Sequence, residues 1–299
     1  MTVCIAAIAE KGKAIVCIAD RSLTFKGVAA NTETDSGVTK IVPIPKTNWC
    51  AMFSGDSLTF PERVLGLVTE AVIAKKPAEV TRKFIEDEVK VAFEKCWERE
   101  VEDQILKPNL LSVAAFTAKE KDARLADTKF IATISDHIAN YQHVCSMAFC
   151  GFDSAGAHIV GASTPCQIDP YDWQGFLAIG AGEDSARNQL IWSEYEKEDD
   201  LDSVLYDVFN AKVATEVLQG VGYQWDWRVI VPHARPKPIP KKIDRLIDRV
   251  WTVYNRSPYA PKLKRLGRLP RNWKKQISDY TSSLLSPKLS SSRKSRGQQ

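Results

Sequence analysis

Residues 1–20, MTVCIAAIAEKGKAIVCIAD, constrain the fold more than any other stretch of this chain. Two runs of β-branched and small apolar residues, 3–9 and 14–19, flank the polar turn Glu10-Lys11-Gly12-Lys13. Each run has the length of a strand, and a short Gly-containing turn between such runs reads as a β-hairpin. The runs are apolar almost without alternation, so the hairpin is expected to be buried on both faces. The second residue is Thr2. Removal of the initiator Met leaves a threonine with a hydroxyl and a free α-amine. Such a residue at the head of a buried strand either stitches a sheet together or presents a nucleophile.

The rest of the composition narrows the setting. No run approaches 18 apolar residues, so no membrane-spanning helix is expected. The N-terminal run is broken early by Glu10 and Lys11 and does not read as a signal peptide. The seven cysteines form no CxxC pair and sit mostly in apolar runs, which reads as buried free thiols in a reducing cytoplasm. The four histidines lack metal-ligand spacing, and no metal or cofactor is expected. The net charge of +4 hides an asymmetry: residues 235–299 carry a balance of +15 and residues 1–234 a balance of −11. The expected organisation is an acidic globular domain, 1–234, and a basic Pro/Ser-rich extension, 235–299.

Along the chain, residues 21–37 read as a polar loop. Residues 38–44 read as a Pro-closed edge strand and 49–53 as the next strand. Apolar residues at a period of 3.6 predict helices over 61–75 and from Pro77 to about residue 105. Residues 109–141 fit either helix or strand. Short apolar runs at 144–150, 157–162 and 175–179 read as strands. Helices are expected at 185–195 and 202–218, and a last strand at 226–232. Runs of strands separated by helix pairs suggest antiparallel sheets covered by helices. In the extension, residues 241–254 predict one amphipathic helix. Residues 282–299 are too rich in Ser, Lys and Arg to order.

Four places in this order resemble the N-terminal-nucleophile hydrolases: MTVCIAAI with GKAIVCIADRS, VTKIVPI, AMFSGD, and FLAIGAGEDSARNQLIW. The likeness is strongest to the proteasome β-subunit group, including the bacterial heat-shock proteasome-like peptidases, and spans about residues 2–232. The resemblance implies an α+β fold, a four-layer αββα sandwich of two antiparallel sheets flanked by helices. It also implies a threonine-type peptidase whose hydroxyl attacks a peptide carbonyl while its own α-amine takes the proton. An α-amine titrates near pH 8 and suits that task. By position, Thr2 is the implied nucleophile, Asp20 the buried carboxylate and Lys40 the lysine it pairs with. Ser22, Met52 and Ala181 fall at implied substrate-binding positions, with the Met52 backbone N–H offered to an oxyanion hole. The chain departs from the pattern in having Ala181 where the family usually has Ser, and Met52 where it has Gly. The supporting Asp and Ser before the last strand are missing.

The resemblance further implies a homo-oligomer, a ring or stacked rings, acting on peptides or unfolded protein. A proteasome-like scaffold subunit without catalysis is the rival reading, and an amidase acting on a small non-peptide amide a third. The basic tail is expected to contact a neighbouring subunit or partner rather than nucleic acid, because no nucleic-acid motif accompanies its charge.

Overall fold

A computed structural model describes residues 2–26, 31–35, 39–118, 127–141, 143–218, 221–232, 234–254 and 272–286. They fall into two compact units, Met1–Ile239 and Pro240–Gln299. The first is α+β and holds two antiparallel five-stranded sheets.

The hairpin of β1 (Val3–Ala9) and β2 (Ala14–Asp20) forms as expected, and every residue of both strands is buried. It lies inside the first sheet. β10 (Phe176–Gly180) pairs with the outer edge of β1, and β11 (Trp225–Ile230) with that of β2. β12 (Lys237–Pro238) adds a short edge to β11, so the first residues of the basic Pro/Ser-rich extension join the sheet. The second sheet runs in the order β5 (Ile41–Pro43), β6 (Cys50–Gly55), β7 (Cys145–Asp153), β8 (Gly156–Ser163) and β9 (Gln167–Pro170). β5 is the edge strand that Pro43 and Pro45 announced.

The two sheets bury one apolar cluster between them. Cys4, Ala6, Ile8, Ile15 and Cys17 come from the first sheet, and Ile41, Cys50, Met52, Ala148 and Cys150 from the second. Period-2 alternation sends the neighbouring residues Ala51, Phe53, Met147 and Phe149 to the opposite face, into a second cluster. There they meet Phe60, Val64 and Val68 of α1 (Thr59–Ile73) and Ile85, Val89 and Phe93 of α2 (Arg82–Val101). Each such buried aliphatic or aromatic side chain contributes roughly 1.5–3 kcal/mol relative to exposure. α5 (Glu183–Trp192) and α6 (Leu201–Ala214) pack on each other, and α6 lies against β1 and β2.

Several expectations need correcting. The stretch read as a polar loop holds a hairpin, β3 (Ser22–Lys26) with β4 (Asn31–Asp35). Residues 27–30 and 36–37 of that stretch lie outside the described residues. Between 109 and 141 the described residues hold two helices and no strand, α3 (Val113–Ala118) and α4 (Thr128–Ala139), around a small cluster of Leu106, Leu111 and Ile134. The second unit contains α7 (Lys241–Tyr254), as expected, and also α8 (Trp273–Leu285). α8 takes in residues 282–285 of the stretch expected to be disordered, whose remainder from 287 is outside the described residues. Among the described residues no helix is long and apolar enough to cross a membrane.

One polar cluster ties β8 to α2. His158 is buried, with Nδ1 2.7 Å from Asp172 Oδ2 and Nε2 2.8 Å from Asp153 Oδ1. Asp172 also accepts from Arg82 Nη1, and Asp153 from the Arg82 backbone N–H. Burial works to lower the imidazole pKa, but the two carboxylates outweigh it and hold His158 above its ordinary value. Burial works to raise both carboxyl groups, and their hydrogen bonds hold them below the usual range. A raised histidine contributes stability that is fully present below about pH 6.5 and is lost as pH rises through its folded value. The depressed aspartates contribute stability present above about pH 4 and lost as pH falls through their folded values. The wild type should therefore exceed a His158→Gln variant in melting temperature most clearly between about pH 4 and 6.5. Melting curves across pH 4–9 check this; a difference that stays constant to pH 9 contradicts it.

Candidate active site

The ends of five strands and one turn converge on Thr2. β1 begins beside it, β2 ends at Asp20, and Lys40 immediately precedes β5. β10 ends at Gly180, and the turn of Val221 and Gly222 leads into β11. Ser54 and Gly55 close β6.

Lys40 and Asp20 are 1% and 0% exposed, and Thr2 is 8% exposed. Burying an ammonium and a carboxylate is costly unless each is paired and hydrogen-bonded. Both are. Lys40 Nζ donates to Asp20 Oδ1 at 2.9 Å, to the Ser22 carbonyl at 2.6 Å, and to Thr2 Oγ1. Three ammonium hydrogens thus meet three acceptors. Asp20 accepts two bonds on each oxygen: Val3 N–H at 3.0 Å and Lys40 on Oδ1, Ser22 N–H at 3.1 Å and Gly222 N–H at 3.2 Å on Oδ2. The carboxylate is fixed from four directions, it fixes the lysine, and the lysine points at the threonine hydroxyl.

Gly180 makes the approach of β10 possible. It has φ of +96°, and a Cβ there would lie 2.3 Å from the Thr2 carbonyl oxygen and 2.7 Å from Ser54 Oγ. Only glycine accepts both the left-handed backbone and that contact. Two residues on, the Gly182 N–H donates to the same Thr2 carbonyl at 3.4 Å.

The structure brings Thr2, Asp20 and Lys40 together, and treats the other three sequence-derived positions differently. Ser22 is 3% exposed and engages the site through its backbone N–H and carbonyl. Met52 is fully buried in the inter-sheet cluster, paired on both sides with Ile41 and Ala148. Two residues further along the same face of β6, Ser54 reaches the strand end beside Gly180. Ala181 is exposed at the tip of the turn between Gly180 and Gly182. Cys4, the other nucleophile near the N-terminus, is fully buried. Burial, opposed by the Lys40 charge, pushes its thiol up to about 12, so it stays protonated and inert.

Sequence reasoning did not find Gly222 or Ser54 as site residues, nor the buried Lys212 behind them. A lysine in register with Leu205 and Val208 on the apolar stripe of α6 was the available signal for the last.

No family model matches the chain, and no curated protein matches it. Solved structures do. The chain resembles Anbu (ancestral beta-subunit) from Yersinia bercovieri, with a TM-score of 0.57 and 9% identity over 87% of this chain and 99% of that one. It also resembles an Anbu (Gly-1) mutant from Hyphomicrobium sp. strain MC1, with a TM-score of 0.54 and 13% identity over 85% and 94% of the two chains. These findings correct the resemblance drawn from the N-terminal motifs. The structures it resembles are of Anbu, a branch distinct from the bacterial heat-shock proteasome-like peptidases. The short motifs around Thr2, Asp20 and Lys40 follow from how the strands meet, so they report the fold and not the branch. At such identities the likeness establishes that this chain has the fold of a proteasome-like subunit.

Proposed function

We propose that this chain, once Met1 is removed, hydrolyses peptide bonds with the Thr2 hydroxyl as nucleophile. The observation that carries the reading is the buried Lys40 ammonium, which donates to Thr2 Oγ1 while Asp20 and the Ser22 carbonyl hold it in place. A positive charge fixed at that oxygen favours its deprotonated form, and burial strengthens the effect. The α-amine of Thr2, directly or through a water, takes the hydroxyl proton as the oxygen attacks the peptide carbonyl. The tetrahedral intermediate collapses as the amine returns that proton to the leaving nitrogen, and an ester to Thr2 remains. Water, deprotonated by the same amine, then attacks the ester; as the ester C–O bond breaks, the amine passes that proton to Thr2 Oγ1, which restores the hydroxyl and releases the carboxylic acid product. Asp20 changes no protonation state in this scheme; it sets the lysine.

The four-layer αββα arrangement belongs to this reading, supported by the inter-sheet cluster, by α1 and α2 on the second sheet, and by α6 on the first. So does assembly into a ring or stack in the cytoplasm, which would confine the site to unfolded or short peptides. Residues 1–234 form the catalytic domain, and the basic extension 235–299 contacts a neighbouring subunit or partner. The compact unit that ends at Ile239 is in line with that division.

The direct test is chemical. The chain purified from its native host should have lost Met1, and a β-lactone, which acylates nucleophilic hydroxyls, should add one acyl group per chain, mapped to Thr2 by mass spectrometry. A chain that keeps Met1 throughout, or that is acylated elsewhere or nowhere, removes the peptidase reading and leaves the scaffold reading, which the methyl group of Ala181 in the Gly180–Gly182 turn favours.

A further inference from the structure

Behind the site lies a second buried cation that the scheme above does not use. Lys212, near the end of α6, is 0% exposed. Its ammonium ion-pairs with Glu216 and lies 4.6 Å over the ring of Trp225. It also donates to the carbonyl of Gly222 at 2.9 Å. Gly222 is the residue whose own N–H, at 3.2 Å, supplies one of the two bonds on Asp20 Oδ2. The same helix end touches the site a second way. Thr215 Oγ1 donates to the Lys212 carbonyl at 2.6 Å, and Thr215 Cβ lies 3.0 Å from where a Cβ on Gly182 would stand.

An apolar residue would fill this position more cheaply than a lysine, so the ammonium calls for a reason. Val221 anchors one side of this turn by burial, but Gly222 has no side chain to hold it, and glycine leaves its backbone free to choose among many conformations. A charged donor on the Gly222 carbonyl removes that freedom. With the turn fixed, the Gly222 N–H stays on Asp20. Without it, Oδ2 keeps only the Ser22 N–H, the carboxylate can rotate, Oδ1 drifts from Lys40, and Lys40 drifts from Thr2 Oγ1.

We infer that Lys212 is a positioning residue, which acts through Gly222 to hold Asp20, and through Asp20 the Lys40–Thr2 pair, in alignment. The inference rests on the proposed role of Thr2, but its first readout does not. In a full-length Lys212→Met variant, amide hydrogen exchange should rise by about tenfold or more at Gly222 and also at Val3 and Ser22, the other two backbone donors to Asp20. Turnover of a fluorogenic peptide should fall by about 10–100-fold in kcat with KM within about threefold, the mark of lost alignment rather than lost binding. Lys212→Arg, which keeps a cation and its donors, should recover part of kcat. If Lys212→Met does not fold, Lys212→Met/Glu216→Gln removes both charges of the pair and is read the same way. Exchange that rises only within residues 212–224 overturns the inference, as does an unchanged kcat in an active enzyme. If the wild type neither hydrolyses peptide nor takes the β-lactone at Thr2, the functional proposal fails by itself. The exchange at Val3 and Ser22 then still decides whether Lys212 holds Asp20.

Discussion

A Thr2→Ala chain should hydrolyse peptides at least about 10³-fold more slowly than the wild type, the scale on which removal of a nucleophile acts. The variant removes the hydroxyl and the γ-methyl of Thr2 and leaves Asp20 with all four of its donors. Lys40 keeps Asp20 and the Ser22 carbonyl and loses its third acceptor. Since Thr2 is slightly open to solvent, a water can take that place, so the loss of stability, the buried γ-methyl included, should stay at or below about 2 kcal/mol. Thr2→Ser keeps the hydroxyl and should keep measurable turnover. An uncleaved residue ahead of Thr2 leaves the hydroxyl intact but turns the α-amine into an amide with no basicity. That extended chain should be as inactive as Thr2→Ala. Initial rates on a fluorogenic peptide series, with melting curves of each variant, separate the cases. An extended chain that retains activity would show that some other group serves as base.

How much of this was legible in the sequence follows from the range of the forces involved. The β1–β2 hairpin was plain because burial on both faces writes itself as an unbroken apolar run. Thr2 was legible from its place at the head of the first apolar run, while Asp20 and Lys40 were legible only through the resemblance of the motifs that carry them. The β3–β4 hairpin was hidden by its composition: SLTFK and NTETD are too polar to read as strands. α8 was masked in the same way, although Trp273, Ile277, Tyr280 and Leu284 recur at helical spacing among its serines and lysines. The choice between Met52 and Ser54 depended on how far β6 runs before it meets β10, a tertiary fact that no local pattern carries. Gly222 offers only a backbone N–H, which every residue but proline has. Its role arises where a turn remote in sequence comes within 3.2 Å of Asp20.

The Asp20–Lys40 pair should be the most expensive place in the site to alter, and the two halves should not cost the same. Removing one partner of a buried pair typically destabilises by about 3–5 kcal/mol, because the other charge is left uncompensated. In Lys40→Met the stranded charge is the Asp20 carboxylate, which keeps the N–H groups of Val3, Ser22 and Gly222. Those three donors soften the loss and place it at the lower end, about 3 kcal/mol. In Asp20→Asn all four partners around the side chain are donors, while the new amide carries an NH₂ that needs acceptors. Whichever way the amide turns, an N–H faces an N–H, and Lys40 loses its counter-charge as well. That variant should lose about 5 kcal/mol and should be the less stable of the two. Both should be inactive, since neither leaves a fixed cation at Thr2 Oγ1. Urea unfolding followed by circular dichroism gives the order from the transition midpoints. If Lys40→Met proves the worse, the lysine is held chiefly by its own apolar surroundings and not by the carboxylate. If both cost less than about 1 kcal/mol, as exposed pairs do, water reaches the pair in solution and Lys40 cannot act on Thr2 as a desolvated charge.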